Sequence, residues 1–122
     1  MGKLYLVPSP IGNLKDITLR AIDVLAQVDL ILAEDTRVTK KLLKHYKITT
    51  KTKSYHIYNE HKLLNGIVDL LISDNNIALV SDSGFPCISD PGFLLVREVI
   101  RKGIDFESLP GCLLYTSDAA DE

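Results

Sequence analysis

This sequence contains little cysteine and no long apolar run. Its 122 residues include two cysteines, Cys87 and Cys112, which support neither a disulfide scaffold nor a zinc site. No apolar run approaches the roughly 20 residues that a membrane-spanning helix needs, and the apolar start of the chain is too short for a signal-peptide core. We therefore expect a soluble cytoplasmic domain with no membrane partner and no metal.

Glycine-rich loops of the kind that hold nucleotide phosphates are also missing. No G-x-x-x-x-G-K-[ST] motif occurs, which excludes a P-loop nucleotide hydrolase. No G-x-G-x-x-G follows the first predicted strand, where residues 8–13 read P-S-P-I-G-N. The prolines lack the N–H groups that would cradle a pyrophosphate. The sequence therefore disfavours a dinucleotide-dependent dehydrogenase and the common Rossmann-type methyltransferase, which also relies on a glycine-rich first loop.

Positive charge is concentrated in one part of the chain, although the net formal charge is −2. Residues 37–62 contain eight lysines and arginines but one acid, Glu60, together with three histidines and three tyrosines. The last eleven residues contain three acids and no base. The basic run is either a solvated helix face or a surface for nucleic acid, and the pattern alone leaves both open.

Short apolar runs alternate with amphipathic segments along the chain. The runs predict five strands, at residues 3–7, 29–33, 53–57, 77–80 and 104–109. The amphipathic segments predict four helices, with the capping residues Asp16, Thr36, Asn59 and Asp90. In the first helix we expect an apolar face made of Leu19, Ile22, Leu25 and Ala26. Because each helix can connect parallel strands, the order predicts an α/β fold, an open and mostly parallel sheet with helices on both faces.

The unusual polar segments all follow predicted strands, at the edge where open α/β sheets bind ligands. Glu34 and Asp35 follow the second strand, where an acid can bind a ribose hydroxyl or cap the next helix. Residues 81–86 (S-D-S-G-F-P) follow the fourth strand, and such short side chains let backbone and carboxylate approach a ligand. His56 beside Asn59 is a candidate polar contact, and Cys87 is interpreted as a small filler thiol.

Four segments then appear together in order: LVPSPIGNL at 6–14, AEDTR at 33–37, SYH at 54–56 followed by Asn59 and Glu60, and VSDSGFPCISDPG at 80–92. In these segments the chain closely resembles the small subunit methyltransferase I family, the bacterial 16S ribosomal RNA (cytidine-2′-O)-methyltransferases of the tetrapyrrole methylase superfamily. The resemblance covers residues 3–111. It implies the N-terminal domain of a two-domain fold that holds S-adenosyl-L-methionine in the cleft between its domains.

The resemblance also implies a reaction and a set of site residues. A ribose 2′-oxygen of 16S ribosomal RNA, in the small ribosomal subunit, would take the methyl group of the cofactor, and the full-length enzyme would be a homodimer. The positions implied for cofactor binding are Pro10, Gly12, Asp82, Ser83, Gly84, Ser89, Asp90 and Gly92. Asp35 is a candidate catalytic base. Helical spacing places Arg37, Lys40 and Lys44 on one exposed face, where they would bind RNA.

Two alternatives stay open. The first is a non-catalytic RNA-binding module that uses the basic segment alone. The second is a methylase of the same superfamily that acts on a tetrapyrrole or a protein residue. True tetrapyrrole methylases usually carry a G-P-G-D-like first loop, which this sequence lacks, and the basic segment favours RNA.

The sequence departs from the family pattern at two places in the fourth-strand loop and at its end. Phe85 stands where the family usually has threonine, and Cys87 where it usually has glycine. Residues 112–122 (CLLYTSDAADE) look like a translated sequencing-library adapter. We therefore expect a truncated domain at residues 1–111 with an artefactual tail, inactive by itself.

Overall fold

The fold is an open sheet of five strands, seen in a computed structural model that describes residues 1–8, 14–56, 58–81 and 92–109. The strands are β1 (Lys3–Pro8), β2 (Leu30–Ala33), β3 (Thr52–Ser54), β4 (Ile77–Ser81) and β5 (Asp105–Ser108). The helices are α1 (Leu19–Gln27), α2 (Thr36–His45), α3 (Glu60–Ile72) and α4 (Gly92–Arg101), and a short 3₁₀ helix (Leu14–Asp16) precedes α1. The regular alternation confirms the predicted fold class. Within the described ranges, none of the helices combines the length and apolar character that crossing a bilayer requires.

The strands lie in the order β3-β2-β4-β1-β5, and each pairing among them is parallel. β1 and β4 pair in register from Leu4 opposite Ile77 to Pro8 opposite Ser81, so their carboxyl ends are level. β2 lies on the other side of β4, with Ala33 opposite Val80. β4 is therefore the central strand, and the ends of β1 and β2 flank its carboxyl end.

Each face of the sheet buries a separate apolar cluster. Helices α1 and α2 pack on one face, against strand residues Val7, Ile31, Ala78 and Val80. Helices α3 and α4 pack on the other, against Leu4, Leu6, Leu32, Ile77 and Leu79. Because successive strand residues point to opposite faces and both faces are covered, the strands read as continuous apolar runs.

The first helix begins differently from the sequence-based prediction. Its cap is Thr18, whose hydroxyl accepts a hydrogen bond from the backbone N–H of Ala21 at 3.1 Å. The predicted cap, Asp16, lies in the preceding 3₁₀ helix. On the predicted apolar face Leu25 is fully buried and Ile22 half-buried, but Leu19 is 81% exposed and Ala26 is exposed, and Ala21 and Val24 occupy the other buried positions. The predicted cap was wrong by two residues, because a 3₁₀ helix precedes the start of α1.

β3 is one of the two edge strands and is shorter than predicted. It pairs with β2 from Thr52 opposite Ile31 to Ser54 opposite Ala33. The next residue, Tyr55, still donates its backbone N–H to the carbonyl of Ala33 at 2.9 Å, but its side chain turns into the core and is fully buried. At the end of this strand the buried side chain of Tyr55 therefore lies directly before a polar turn.

Candidate functional site

The carboxyl end of β4 is where the chain divides between the two faces of the sheet. After β4 it continues to α4 on one face, whereas after β1 and β2 it continues to α1 and α2 on the other. When the connections after two neighbouring parallel strands run to opposite faces of the sheet, a crevice forms outside the strand ends. Open α/β folds bind ligands in such a crevice. We call the space outside the carboxyl ends of β1, β2 and β4 the carboxyl-edge crevice.

Two loops that the sequence singled out begin side by side at this crevice. Seven of the predicted cofactor-binding residues belong to those loops and lie outside the described residues: Pro10, Gly12, Asp82, Ser83, Gly84, Ser89 and Asp90. The eighth, Gly92, is the first residue of α4 and is buried. Because Pro8 and Ser81 are register partners, the first loop leaves β1 next to the point where the second leaves β4. The sheet order thus brings the starts of two segments some seventy residues apart in sequence together, a relation that hydrophobic patterns do not reveal.

Asp35 caps α2 and is bonded to Arg37. Its carboxylate accepts hydrogen bonds from the backbone N–H of Arg37 at 2.9 Å and from the guanidinium at 3.2 Å (Nε) and 3.1 Å (Nη2). These bonds hold the pKa of Asp35 below its ordinary value. The predicted cap, Thr36, is wrong, because Thr36 is already the first helical residue. A carboxylate with a lowered pKa is a weaker proton acceptor, so this geometry favours capping over base catalysis.

His56 and Asn59 close the turn after β3. The Asn59 side chain accepts the backbone N–H of His56 at 2.7 Å and donates to the carbonyl of Ser54 at 3.1 Å. Nδ1 of His56 accepts the N–H of Tyr58 at 3.2 Å, so the neutral ring carries its hydrogen on Nε2. Asn59 stands at the N-cap position of α3, as predicted, but its side chain makes no capping bond. It serves instead as a clamp that holds His56 at the carboxyl edge.

A buried polar pair adjoins this turn, and sequence reasoning missed it. Tyr55 is fully buried, and Glu60, the first residue of α3, is 3% exposed. The Tyr55 hydroxyl makes no hydrogen bond to any residue that the structure describes. Burial, and secondarily the negative charge of Glu60, raise the pKa of Tyr55 above its ordinary value. Both residues belong to one of the sequence segments noted above, but a short β-rich run does not show which side chain turns inward.

The three residues predicted to bind RNA do share an exposed face of α2. Arg37, Lys40 and Lys44 are all exposed, while Leu42 and Leu43 hold the opposite face against the sheet. Arg37 is paired with the capping carboxylate, its Nη2 lying 3.1 Å from the nearer oxygen. Lys40 and Lys44 form no ion pair with any residue in the described ranges. The uncompensated positive charge therefore lies toward the C-terminal half of the helix.

The sheet, its central strand and this crevice define a doubly wound α/β protein whose candidate site lies at the carboxyl edge. A family model described as Tetrapyrrole (Corrin/Porphyrin) Methylases matches residues 3–117. The chain belongs to this family. The match extends into residues 112–122, which lie outside the described residues, and their origin from an adapter stays a prediction.

Curated relatives of high identity share one name, Ribosomal RNA small subunit methyltransferase I. The relative from Mycoplasmopsis pulmonis is 57% identical over 116 residues, which is 95% of this chain and 52% of the relative. The relative from Vibrio cholerae is 53% identical over 118 residues, which is 96% of this chain and 41% of the relative. The chain therefore spans about half or less of the length of these relatives.

Solved structures with the same fold are more distant in sequence. Uroporphyrin-III-C-methyltransferase from Thermus thermophilus superposes with a TM-score of 0.70 at 23% identity, covering 91% of this chain and 48% of that one. Diphthine synthase superposes with a TM-score of 0.72 at 14% identity, covering 98% of this chain and 48% of that one. At these identities the superpositions show the fold alone.

Proposed function

We propose that this chain is the N-terminal part of an enzyme that uses S-adenosyl-L-methionine to methylate a cytidine ribose 2′-oxygen of 16S ribosomal RNA in the small ribosomal subunit. The observation that carries this proposal is the 57% identity, over 95% of the chain, to a relative named Ribosomal RNA small subunit methyltransferase I. The ribose acceptor rests on the four sequence segments quoted above. A cytoplasmic location follows from the ribosomal substrate, and a homodimer at full length stays a prediction.

The groups around the carboxyl-edge crevice are of the kinds that could bind S-adenosyl-L-methionine. Helix α4 begins there at buried Gly92, and a helix N-terminus offers N–H groups and partial positive charge to a carboxylate such as that of the methionine moiety. Exposed Glu34, at the end of β2, stands where an acid can accept ribose hydroxyls. When bound, the cofactor would supply an electrophilic methyl group. Asp82 and Gly84, from the loop after β4, are proposed to hold it.

Asp35 carries two proposed roles that can be separated. The ribose hydroxyl must lose a proton, and Asp35 is the candidate acceptor because it lies at the same edge as the crevice. Its bonds to Arg37 support a second role, in which the pair fixes the start of α2 and hence the position of the lysines on that helix. Asp35→Asn keeps a capping oxygen but removes both the proton acceptor and the ion pair with Arg37, so methyl transfer tests the first role and the melting temperature tests the second.

The tetrapyrrole alternative is supported by the description of the matching family model, whereas the fold neighbours, which are 23% identical or less, support the shared fold and neither alternative substrate. The ribosomal RNA proposal is favoured by the 53–57% identity of the relatives and by the uncompensated lysines of α2. A non-catalytic RNA-binding module would need the same lysines but no cofactor. Cofactor binding therefore separates an enzyme from a binding module.

The experiment joins residues 1–109 of this chain to the remaining C-terminal part of the Mycoplasmopsis pulmonis relative. Calorimetry measures binding of S-adenosyl-L-methionine, and a labelled methyl group is followed into small ribosomal subunits. We expect binding and transfer in the chimera. Asp82→Ala should weaken cofactor binding about tenfold or more, since hydrogen bonds to charged groups contribute about 1.5–3 kcal/mol. Asp69→Ala, on the exposed surface of α3, is the matched control and should leave the affinity unchanged.

The possible failures point to different functions. RNA binding without cofactor binding would indicate the non-catalytic module. Cofactor binding with methyl transfer to a tetrapyrrole or a protein, and none to the small subunit, would overturn the ribosomal substrate. Normal transfer by Asp35→Asn would remove Asp35 as the base while leaving the proposed function intact.

A further inference from the structure

An open groove of about 410 Å³ lies between the C-terminal half of α2 and the start of β3. Its polar lining consists of three lysines and three threonines: Lys40, Lys44, Lys47, Thr49, Thr50 and Thr52. We call it the lysine groove. Because α2 begins at the carboxyl edge with Thr36, a rise of about 1.5 Å per residue puts Lys40 about 6 Å and Lys44 about 12 Å along the helix from that edge.

The groove lysines, Lys40, Lys44 and Lys47, form an exposed positive surface that is not ion-paired within the described residues. The one acid of residues 37–62, Glu60, is buried at the start of α3, on the other face of the sheet. Arg37, by contrast, is neutralised by its capping partner. The charge available to a phosphate therefore belongs to the groove rather than to the start of α2.

Lys47 occupies a backbone conformation that normally favours glycine. Its φ is 58°, in the left-handed region. Its N–H donates to the carbonyl of Lys44 at 3.2 Å, and the N–H of Ile48 donates to that of Leu43 at 2.9 Å, which is the Schellman pattern that ends a helix. Glycine or asparagine is common at this position, whereas lysine is strained there. Asp74, after α3, has a similar φ of 70°, so the conformation by itself is not specific to the groove, but at Lys47 it places an exposed lysine in the groove lining.

The rest of the lining fixes the groove and adds hydrogen-bond donors. The hydroxyl of Thr50 donates to the carbonyl of Leu25 at 2.7 Å, which ties the loop after α2 to α1. Ile48 packs with Leu43 against the core and anchors the same loop. Thr49 is exposed and Thr52 is half-buried, and hydroxyls of this kind commonly contact nucleic-acid phosphates alongside lysines. The groove is therefore a fixed structure with mobile charged tips, which suits a polyanion.

We propose that the lysine groove binds the phosphodiester backbone of RNA. The proposal rests on the proposed function, and it moves the RNA-binding set from Arg37, Lys40 and Lys44 to Lys40, Lys44 and Lys47. A span of about 6–12 Å corresponds to about two to four nucleotides of stacked strand at about 3.4 Å each. RNA held in the groove would thus place a nucleotide a few residues away along the same strand at the carboxyl-edge crevice. The groove positions the substrate and takes no part in the chemical step.

The test measures how RNA affinity depends on salt. Fluorescence anisotropy measures the affinity of the 122-residue chain for a short fluorescein-labelled RNA at salt concentrations of about 50–200 mM. The groove variant combines Lys40→Gln, Lys44→Gln and Lys47→Asn. The control variant, Lys51→Gln with Lys62→Gln and Lys102→Gln, removes three exposed lysine charges that do not line the groove. Each lost phosphate contact should flatten the slope of log affinity against log salt by about 0.7, so the groove variant should lose about two units.

Lys47→Asn alone keeps the test independent of folding. Asparagine tolerates the left-handed conformation, so the melting temperature should stay equal or rise while the salt slope falls by about 0.7. Equal losses of slope in the groove and control variants would overturn the groove and leave RNA binding by general surface charge. A parent chain that binds no RNA would overturn the groove as well, and methyl transfer by the chimera would then decide separately whether the proposed function survives.

Discussion

The carboxylate of Asp35 accepts three hydrogen bonds from one residue, Arg37. The backbone N–H of Arg37 lies at 2.9 Å, and two guanidinium nitrogens lie at 3.2 Å and 3.1 Å. The same two residues thus form both a capping bond, donated by the Arg37 backbone, and an ion pair between their side chains, in the turn between β2 and α2. The arrangement fixes the helix start and leaves little positive charge on Arg37 for another partner.

This pair makes the stability of the chain depend on acid pH. The pKa of Asp35 is lowered in the folded chain, so the contribution of its charge is complete above its ordinary value of about 3.9 and is lost as the pH falls through the lowered value. Asp35→Asn should therefore lower the melting temperature near pH 7, and the difference from the parent should shrink below about pH 4. A difference that does not change with pH would contradict the ion pair. In a carboxyl NMR titration, Arg37→Gln should move the pKa of Asp35 upward.

Thr18, rather than Asp16, should stabilise the first helix. The Thr18 hydroxyl accepts the N–H of Ala21 at 3.1 Å, so Thr18→Ala should lower the free energy of unfolding by about 1 kcal/mol. Asp16→Ala is the matched control and should change it by less than about 0.5 kcal/mol, because Asp16 is exposed and lies before the helix. Urea denaturation of the two variants measures both values. A larger loss in Asp16→Ala would restore the sequence-based assignment of the cap.

The caps illustrate what the sequence could and could not predict. The five strands and four helices follow from apolar runs and helical spacing, because a parallel sheet buried on both faces requires those patterns. These patterns do not decide whether Asp16 or Thr18 caps the first helix, because the cap depends on the extended backbone of Thr18, with φ −77° and ψ 156°. The crevice likewise depends on the order β3-β2-β4-β1-β5, which local patterns do not encode. The left-handed Lys47 belongs to the Schellman turn that ends α2, and the inward Tyr55 depends on tertiary packing after a short edge strand.

Two glycines should respond to alanine in opposite directions. Gly2 is buried, and a Cβ there would lie 1.8 Å from the backbone oxygen of Asn75, so Gly2→Ala forces the backbone apart and should cost about 1–3 kcal/mol. Gly66 is exposed within α3 and a Cβ there meets nothing within 4 Å. Gly66→Ala should therefore stabilise the chain by about 0.5–1 kcal/mol. Urea denaturation of both variants is the measurement, and a neutral Gly2→Ala would show that the start of β1 moves freely.

The Tyr55 hydroxyl should contribute nothing to stability, although the ring contributes a great deal. The side chain is fully buried in the cluster under α3 and α4, and the hydroxyl oxygen has no hydrogen-bond partner among the described residues. A buried hydroxyl without a partner carries an uncompensated desolvation cost of about 1–3 kcal/mol. Tyr55→Phe removes that cost and preserves the packing of the ring.

We therefore expect Tyr55→Phe to leave the free energy of unfolding unchanged or to raise it by about 1 kcal/mol. Tyr55→Ala is the contrasting variant and should lower it by about 3–5 kcal/mol, because it leaves a cavity between β3 and α3. Thr39, whose buried hydroxyl also has no partner in the described ranges, supplies an independent case, and Thr39→Val should be equally well tolerated. Urea denaturation distinguishes the outcomes. A loss of more than about 1 kcal/mol in Tyr55→Phe would mean that the hydroxyl is hydrogen-bonded in solution, and a bound water next to Glu60 would then be the partner to seek.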